Sequence, residues 1–362
     1  MPINQDRLLD LLSSMVNIYS PTGKETEIVH FVEGYLKKAG FSPILQTVEK
    51  DRHNIVIIDE KKSPALCMAG HLDTVPAMDY DNYSFYREGN ELTGLGTSDM
   101  KSGCAAMIEA FHTFYEETGR FPDAALALLV GEEETGDGAV KFLEDFGFLW
   151  AVIGEPTDMK ACFKHFGYIE ANLKAKGTRK HASLAKQKEN AVHTMLSTLL
   201  KLTDHISKTK PEIICNIRDV FSKRSGFVVP DFCESWIDLH IPPEYSAGDI
   251  IFELEEYLRN LFPDVKNIEE ILDITTIHSG YSIPEKSPFA NSLRSSFQKC
   301  GLDWNTSFFP SDSDAVFFWE NGIKPVILGP GTLEKAHCED ESVSFSQVID
   351  AAKVYLEILK TC

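Results

Sequence analysis

The chain has 362 residues, 43% of them hydrophobic and 25% charged, which is globular composition with room for two ordinary domains. A formal net charge of -20 argues against nucleic acid or an anionic membrane as partner. No apolar run approaches the roughly 18 residues of a membrane span, and the opening MPINQDRLLDLLSSMV lacks a basic start and apolar block, so a cytoplasmic protein is expected. The eight cysteines form no C-x-x-C pair and several sit in apolar runs, as Cys67 does, so buried free thiols are expected.

The predicted elements begin with a helical period from Gln5 to Lys38, broken at Ser20-Pro-Thr-Gly23. Apolar strands follow at Asn54 to Ile58, Ala65 to Met68 and Ala124 to Val130, with a helix from Ser102 to Glu117. Ala151 to Ile153 is a further short buried run. Strands that are apolar on both faces, alternating with helices, predict an α/β layered domain. The texture changes after about Gly167. Tyr168 to Lys176 alternates as a half-exposed strand, then come a helix at Asn190 to Lys208, a strand at Ser235 to Ile241, a helix at Ile250 to Leu261 and a strand at Ile271 to His278. That order predicts a small α+β sandwich over 168–281. From about Ser282 the α/β texture returns, with a helix at Ala290 to Cys300, a strand at Pro325 to Leu328 and a last helix at Ser346 to Leu359. The expected architecture is one α/β domain, 1–167 and 282–362, interrupted by the smaller insert.

Acids and histidines collect where the apolar strands end. ALCMAGHLDTVP delivers His71 and Asp73, two apart and so on one side of a strand. GLGTSDMKSG holds Asp99, GEEETGDGA holds Glu132, Glu133 and Glu134, IGEPTD holds Glu155, and GPGTLEKAHCEDE holds His337. Ligands of α/β sheets bind at the carboxyl ends of strands. Two imidazoles and several carboxylates there would form a ligand set for one or two divalent ions, with zinc the natural guess. His71 could bind a metal through one nitrogen while Asp73 takes the proton of the other, or it could be a core histidine hydrogen-bonded to Asp73. Three glutamates in a row could be a solvated turn. They could equally meet a cation, with one binding it and a neighbour acting as general base on water. GLGTSD lacks the third glycine of a dinucleotide fingerprint and ends in an acid that would repel phosphate. No G-x-S-x-G elbow occurs, which disfavours a serine hydrolase.

The order of these motifs, from SPTGKE at Ser20 to AHCEDES ending at Ser342, resembles the co-catalytic zinc amidohydrolase and peptidase family. That family includes acetylornithine deacetylase, succinyl-diaminopimelate desuccinylase, aminoacylase, glutamate carboxypeptidase and peptidase T. The resemblance implies a zinc-peptidase-like α/β/α catalytic domain with an inserted lid that mediates dimerisation, and two divalent ions, zinc with cobalt or manganese as alternatives. It implies His71, Asp99, Glu134, Glu155 and His337 as metal ligands, with Asp99 bridging and followed by a cis bond. Asp73 would orient His71. The family's Asp-Glu-Glu-x-Gly falls on Glu132 to Gly136, which makes Glu133 the general base. His181, in GTRKHAS of the insert, would polarise the scissile carbonyl, often in the partner subunit's site. The implied activity is hydrolysis of an N-acyl amino acid or short peptide.

Two positions depart from the pattern. Phe227 and His240 stand where relatives have an Asn and an Arg that contact the substrate's carboxylate and carbonyl end. Arg218, Lys223 or Arg224 could supply the cation instead. Otherwise the substrate lacks that carboxylate, or the chain is a non-catalytic or altered-substrate paralogue that binds a small molecule through the insert.

Overall fold

The computed structural model describes residues 2–59, 62–77, 83–223, 226–264, 268 and 271–361, and the chain divides into two compact units. The first comprises Met1–Phe163, Ile283–Phe309 and Ser313–Cys362; the second comprises Lys164–Ser282 and Pro310–Asp312.

The first unit is built on a mixed sheet ordered Ile44–Glu49, Arg52–Ile57, Ala125–Leu129, Leu66–His71, Trp150–Ile153, Lys324–Ile327 and Ala161–His165. Its centre is parallel: Leu66–His71 lies between Ala125–Leu129 and Trp150–Ile153, with Cys67 opposite both Ala125 and Ala151. Every residue of Leu66–His71 and Ala125–Leu129 is buried, as expected of parallel strands covered on both faces. Helix Lys101–Thr118 packs against Gln5–Val16 and Phe345–Leu359, and helix Asp137–Asp145 against Ala315–Glu320. The expected break in the first helical stretch is real: one helix ends at Val16 and the next begins at Thr26. Sequence reading missed strands Ile44–Glu49 and Ala161–His165 and helices Asp137–Asp145 and Ala315–Glu320.

One glycine positions the site. A Cβ on Gly103 would come within 2.2 Å of the Gly154 carbonyl oxygen. The bare backbone lets the first turn of Lys101–Thr118 press against the end of strand Trp150–Ile153. That approach brings Asp99, just ahead of the helix, to Glu155, just beyond the strand.

The second unit is an antiparallel sheet ordered Ile214–Ile217, Phe232–Ile241, Gly167–Lys176 and Leu272–His278. Gly167–Lys176 alternates buried and half-buried residues, so it has one core face. Ile169, Ala171, Leu173, Ile237 and Leu239 on that face pack with Leu199 and Leu202 of helix Ala191–Thr209 and Leu254 and Leu258 of helix Ala247–Leu261. The edge strand Ile214–Ile217 was missed from sequence. Among the described residues no helix is long and apolar enough to cross a membrane, and the seven described cysteines are free thiols.

Candidate active site

The site lies at the carboxyl ends of the parallel strands of the first unit. His71 closes strand Leu66–His71 and is 1% exposed. Its Nδ1 lies 3.0 Å from the Asp73 carbonyl oxygen, which can only accept, so Nδ1 carries a proton and Nε2 faces inward. Inward lie Asp99 Oδ1 at 3.1 Å, Glu132 Oε2 at 3.7 Å and Glu155 Oε2 at 3.8 Å.

Asp99 presents its other oxygen to the second imidazole. Oδ2 is 3.4 Å from His337 Nε2, which also sits 3.0 Å from Glu133 Oε2. The peptide bond after Asp99 is cis. Three groups within this cluster could each hold a metal ion: His71, Asp99 and Glu155; Asp99, Glu133 and His337; His71, Glu132 and Glu133. The first two share Asp99.

Asp73 meets both His71 and the glutamate turn. The acceptor that orients His71 is its backbone carbonyl, while its carboxylate Oδ1 stands 3.6 Å from His71 Nδ1. That carboxylate accepts the backbone N–H groups of Glu132 (3.2 Å) and Glu133 (3.1 Å) and the Thr22 hydroxyl (2.7 Å). It therefore fixes the glutamate turn against the histidine strand. Thr22, in the SPTG break, is the outer support of this clamp.

The clamp decides which glutamates enter. At Gly131 the backbone takes φ +81°, and the N–H groups of Thr135 (3.0 Å) and Gly136 (2.7 Å) return to the Gly131 carbonyl. Glu132 and Glu133 are pinned by Asp73 with their carboxylates in the cluster, whereas Glu134 is exposed and belongs to none of the three groups. The carboxylate beside His337 is that of Glu133 rather than Glu134, and Glu132 takes the remaining inward position.

Sequence reasoning missed two further acids. Glu341 is 3% exposed, and its carboxylate accepts backbone N–H groups on either side of the loop that ends in Asp99. Asp314 is buried at the start of helix Ala315–Glu320 and adds the smallest share, after burial, Glu155 and Glu133, to the push that raises the Glu132 carboxyl. His181 lies in the second unit, exposed, with Nδ1 2.8 Å from Ser183 Oγ, and belongs to none of the three groups. In the same unit Phe227 is 86% exposed. His240 pairs opposite Tyr168, and its Nδ1 has no hydrogen-bond partner among the described residues. The Arg218 guanidinium lies 3.7 Å from Asp238 and 3.4 Å from the Tyr168 hydroxyl. Arg224 lies outside the described residues.

The electrostatics are those of carboxylates crowded around two imidazoles. Burial pushes up the carboxyls of Glu132 and Glu133, and burial together with Asp99 lifts Glu155 to about 7. Burial opposes charge on His71, but Glu132 and Glu155 outweigh it and hold the imidazole well above its ordinary value. His337 is likewise pushed up to about 11, burial being overcome by Asp99 and Glu133. Burial also opposes charge on Asp99, yet the two imidazoles hold it well below the usual carboxylate range. Glu155 Oε1 is buried with no hydrogen-bond partner among the described residues. A buried carboxylate oxygen without a donor is costly unless a cation meets it.

The sequence pattern of the peptidase family M20/M25/M40 matches residues 67–361. The chain belongs to that family. Acetylornithine deacetylase of Vibrio atlanticus (strain LGP32) is 27% identical over 88% of this chain and 87% of its own length. A probable succinyl-diaminopimelate desuccinylase of Staphylococcus aureus (strain N315) is 24% identical over 97% of this chain and 95% of its own. Among solved structures, a tripeptidase of Staphylococcus aureus subsp. aureus Mu50 superposes with a TM-score of 0.82 at 21% identity, covering 100% of this chain and 99% of that one. A dinuclear metal binding peptidase of Bacillus subtilis gives a TM-score of 0.68 at 13% identity, covering 98% and 97%. These neighbours share the fold. The family assignment makes this chain a hydrolase of the metallopeptidase and deacylase type, and the clustered His, Asp and Glu side chains are its candidate metal site.

Proposed function

We propose that this member of the family hydrolyses the amide bond of an N-acyl amino acid or short peptide with two divalent ions, zinc the first choice. One observation carries the reading: Asp99 offers Oδ1 to His71 and Oδ2 to His337, so a single carboxylate joins two ligand groups. His71, Asp99 and Glu155 would hold one ion, and Asp99, Glu133 and His337 the other. The donor set fits, because imidazole and carboxylate suit zinc and the unpartnered Glu155 oxygen lacks the positive partner an ion would give it. Bound there, the pair would supply Lewis acidity to the scissile carbonyl and acidify a water.

Glu132 is left for proton transfer. It lies in the cluster beside His71 but outside the two groups that share Asp99. In this account Glu132 accepts the proton of the attacking water and delivers it to the departing amine nitrogen. Asp73 holds Glu132 and Glu133 in register through their backbone N–H groups. The resemblance supports His181 as the group that polarises the carbonyl. Its test is a loss of kcat in His181→Ala with metal content unchanged.

A homodimer through the second unit is part of the proposal. Leu196 and Leu200 on helix Ala191–Thr209 and Ile214 and Ile217 on the edge strand are 40–69% exposed, an apolar surface beside an open sheet edge. A second reading, small-molecule binding without turnover, draws on Phe227 and His240. It predicts a chain that binds two ions yet hydrolyses no acyl-amino acid or dipeptide. The deciding experiment is a substrate panel run on metal-loaded protein; turnover that chelation abolishes and zinc restores supports the amidohydrolase.

A further inference from the structure

We propose that Glu341 is a positioning residue that ties the Asp99 loop to the His337 segment and so keeps both oxygens of Asp99 aimed at their imidazoles. The inference rests on the two-ion reading above. Glu341 touches none of the three candidate metal groups' ligand atoms directly, and the proton-transfer account does not use it. Its carboxylate is nevertheless buried in the first unit and spent on backbone donors. Oε2 accepts the N–H of Gly96 at 2.8 Å; Oε1 accepts those of Ser98 at 2.8 Å and Asp99 at 3.0 Å. Its own carbonyl accepts the N–H of Gly94 at 3.2 Å. One residue thus secures the loop 94–99 at four points, three of them charge-assisted.

The same residue ends the segment that carries His337. The N–H of Glu341 bonds to the Cys338 carbonyl at 3.2 Å, closing a tight turn. His337 itself has φ +56°, a left-handed conformation that non-glycine residues keep only where their surroundings hold them. Nearby the two loops are joined again. The Ser98 hydroxyl donates to the Thr332 carbonyl (3.0 Å) and accepts the Thr332 N–H (3.1 Å). Asp99 and His337 are therefore set against each other by backbone ties outside the cluster, and Glu341 supplies most of them.

The division of donors between the two oxygens makes the idea testable. Glutamine keeps the size but has one acceptor oxygen. Either Gly96, or Ser98 and Asp99, must then face an NH2 group, donor against donor. The group that depends on both tied segments is Asp99, Glu133 and His337; His71 and Glu155 stand on neighbouring strand ends. Zinc titration of metal-free protein by calorimetry reads the result. In Glu341→Gln the ion at Asp99, Glu133 and His337 should bind about 10- to 100-fold more weakly, and the ion at His71, Asp99 and Glu155, which shares only the Asp99 loop with Glu341, should weaken by less. Excess zinc should restore kcat. If the parent binds two ions and Glu341→Gln binds both with parental affinity, the proposal is overturned, whatever happens to thermal stability. A parent that binds no zinc overturns the two-ion reading first and this proposal with it. Should Glu341→Gln not fold, the same titration on Glu341→Asp, which keeps the charge but withdraws the acceptors by one methylene, decides between the same results.

Discussion

Removing the Glu132 carboxylate separates proton transfer from metal binding and tests the register of the glutamate turn. The Glu132 side chain is 14% exposed, and its Oε2 is 3.7 Å from His71 Nε2. It lies outside both groups that share Asp99, so Glu132→Ala leaves both ligand sets whole. A positioned general base contributes about 100- to 10,000-fold to rate, equivalent to about 3–5.5 kcal/mol of barrier. Glu132→Ala should therefore lose kcat by that factor while keeping parental metal content. Glu134 is exposed and outside the cluster, so Glu134→Ala should keep parental kcat and metal content. The assay is steady-state hydrolysis on the best substrate of an acyl-amino acid and dipeptide panel, with elemental analysis of the same samples. Activity lost in Glu134→Ala but kept in Glu132→Ala would refute the reasoning and restore the register implied by aligning the Glu run on Gly136.

Four further predictions rest on the geometry and charge of the two units. His337→Ala should lower bound metal from about two to about one per chain and cost activity about 100-fold or more, because Asp99 and Glu133 alone make a poor site; full retention of both ions would exclude His337 as a ligand. Zinc affinity should rise with pH between about 5.5 and 8, because Glu155 titrates at about 7 and His337 at about 11 in the metal-free protein and both must release protons to the ion. The linkage sign agrees. Both groups are raised above their ordinary values, so they stabilise the metal-free fold at mildly acid pH and that stability is lost as pH rises through about 7 for Glu155 and toward about 11 for His337. Metal-free parent should lose more stability between about pH 5 and 7 than metal-free Glu155→Gln does, and an identical pH dependence of the two thermal midpoints would contradict this. Leu200→Glu places a charge on the exposed apolar surface of helix Ala191–Thr209 and should shift the chain toward monomer by light scattering; an unchanged dimer would remove this surface from the interface.

Much of the first unit was legible because its strands are short, apolar and followed by acids or histidines. Ala65 to Met68 reads as a buried strand with His71 just beyond it, and the structure carries that buried strand on to His71. Ala161–His165 was not legible: its residues run straight on into Phe166 and the next strand, with no turn signal between. His71, Asp99, Glu155 and His337 converge as their motifs suggested. The glutamate register could not be read, because three identical residues carry no phase of their own. It is set by the turn at Gly131 and by Asp73, which takes two backbone N–H groups from another loop. Glu341 was hidden differently. In AHCEDES it looks like one more solvated acid, and only the fold shows it buried under the Asp99 loop.

The measurement that tests the central claim most directly is metal content per chain by elemental analysis, paired with hydrolysis of acyl-amino acids and dipeptides before and after chelation. The account predicts close to two ions, with activity lost on chelation and restored by zinc. No bound metal after zinc is supplied would contradict the assignment of His71, Asp99, Glu133, Glu155 and His337 as ligands.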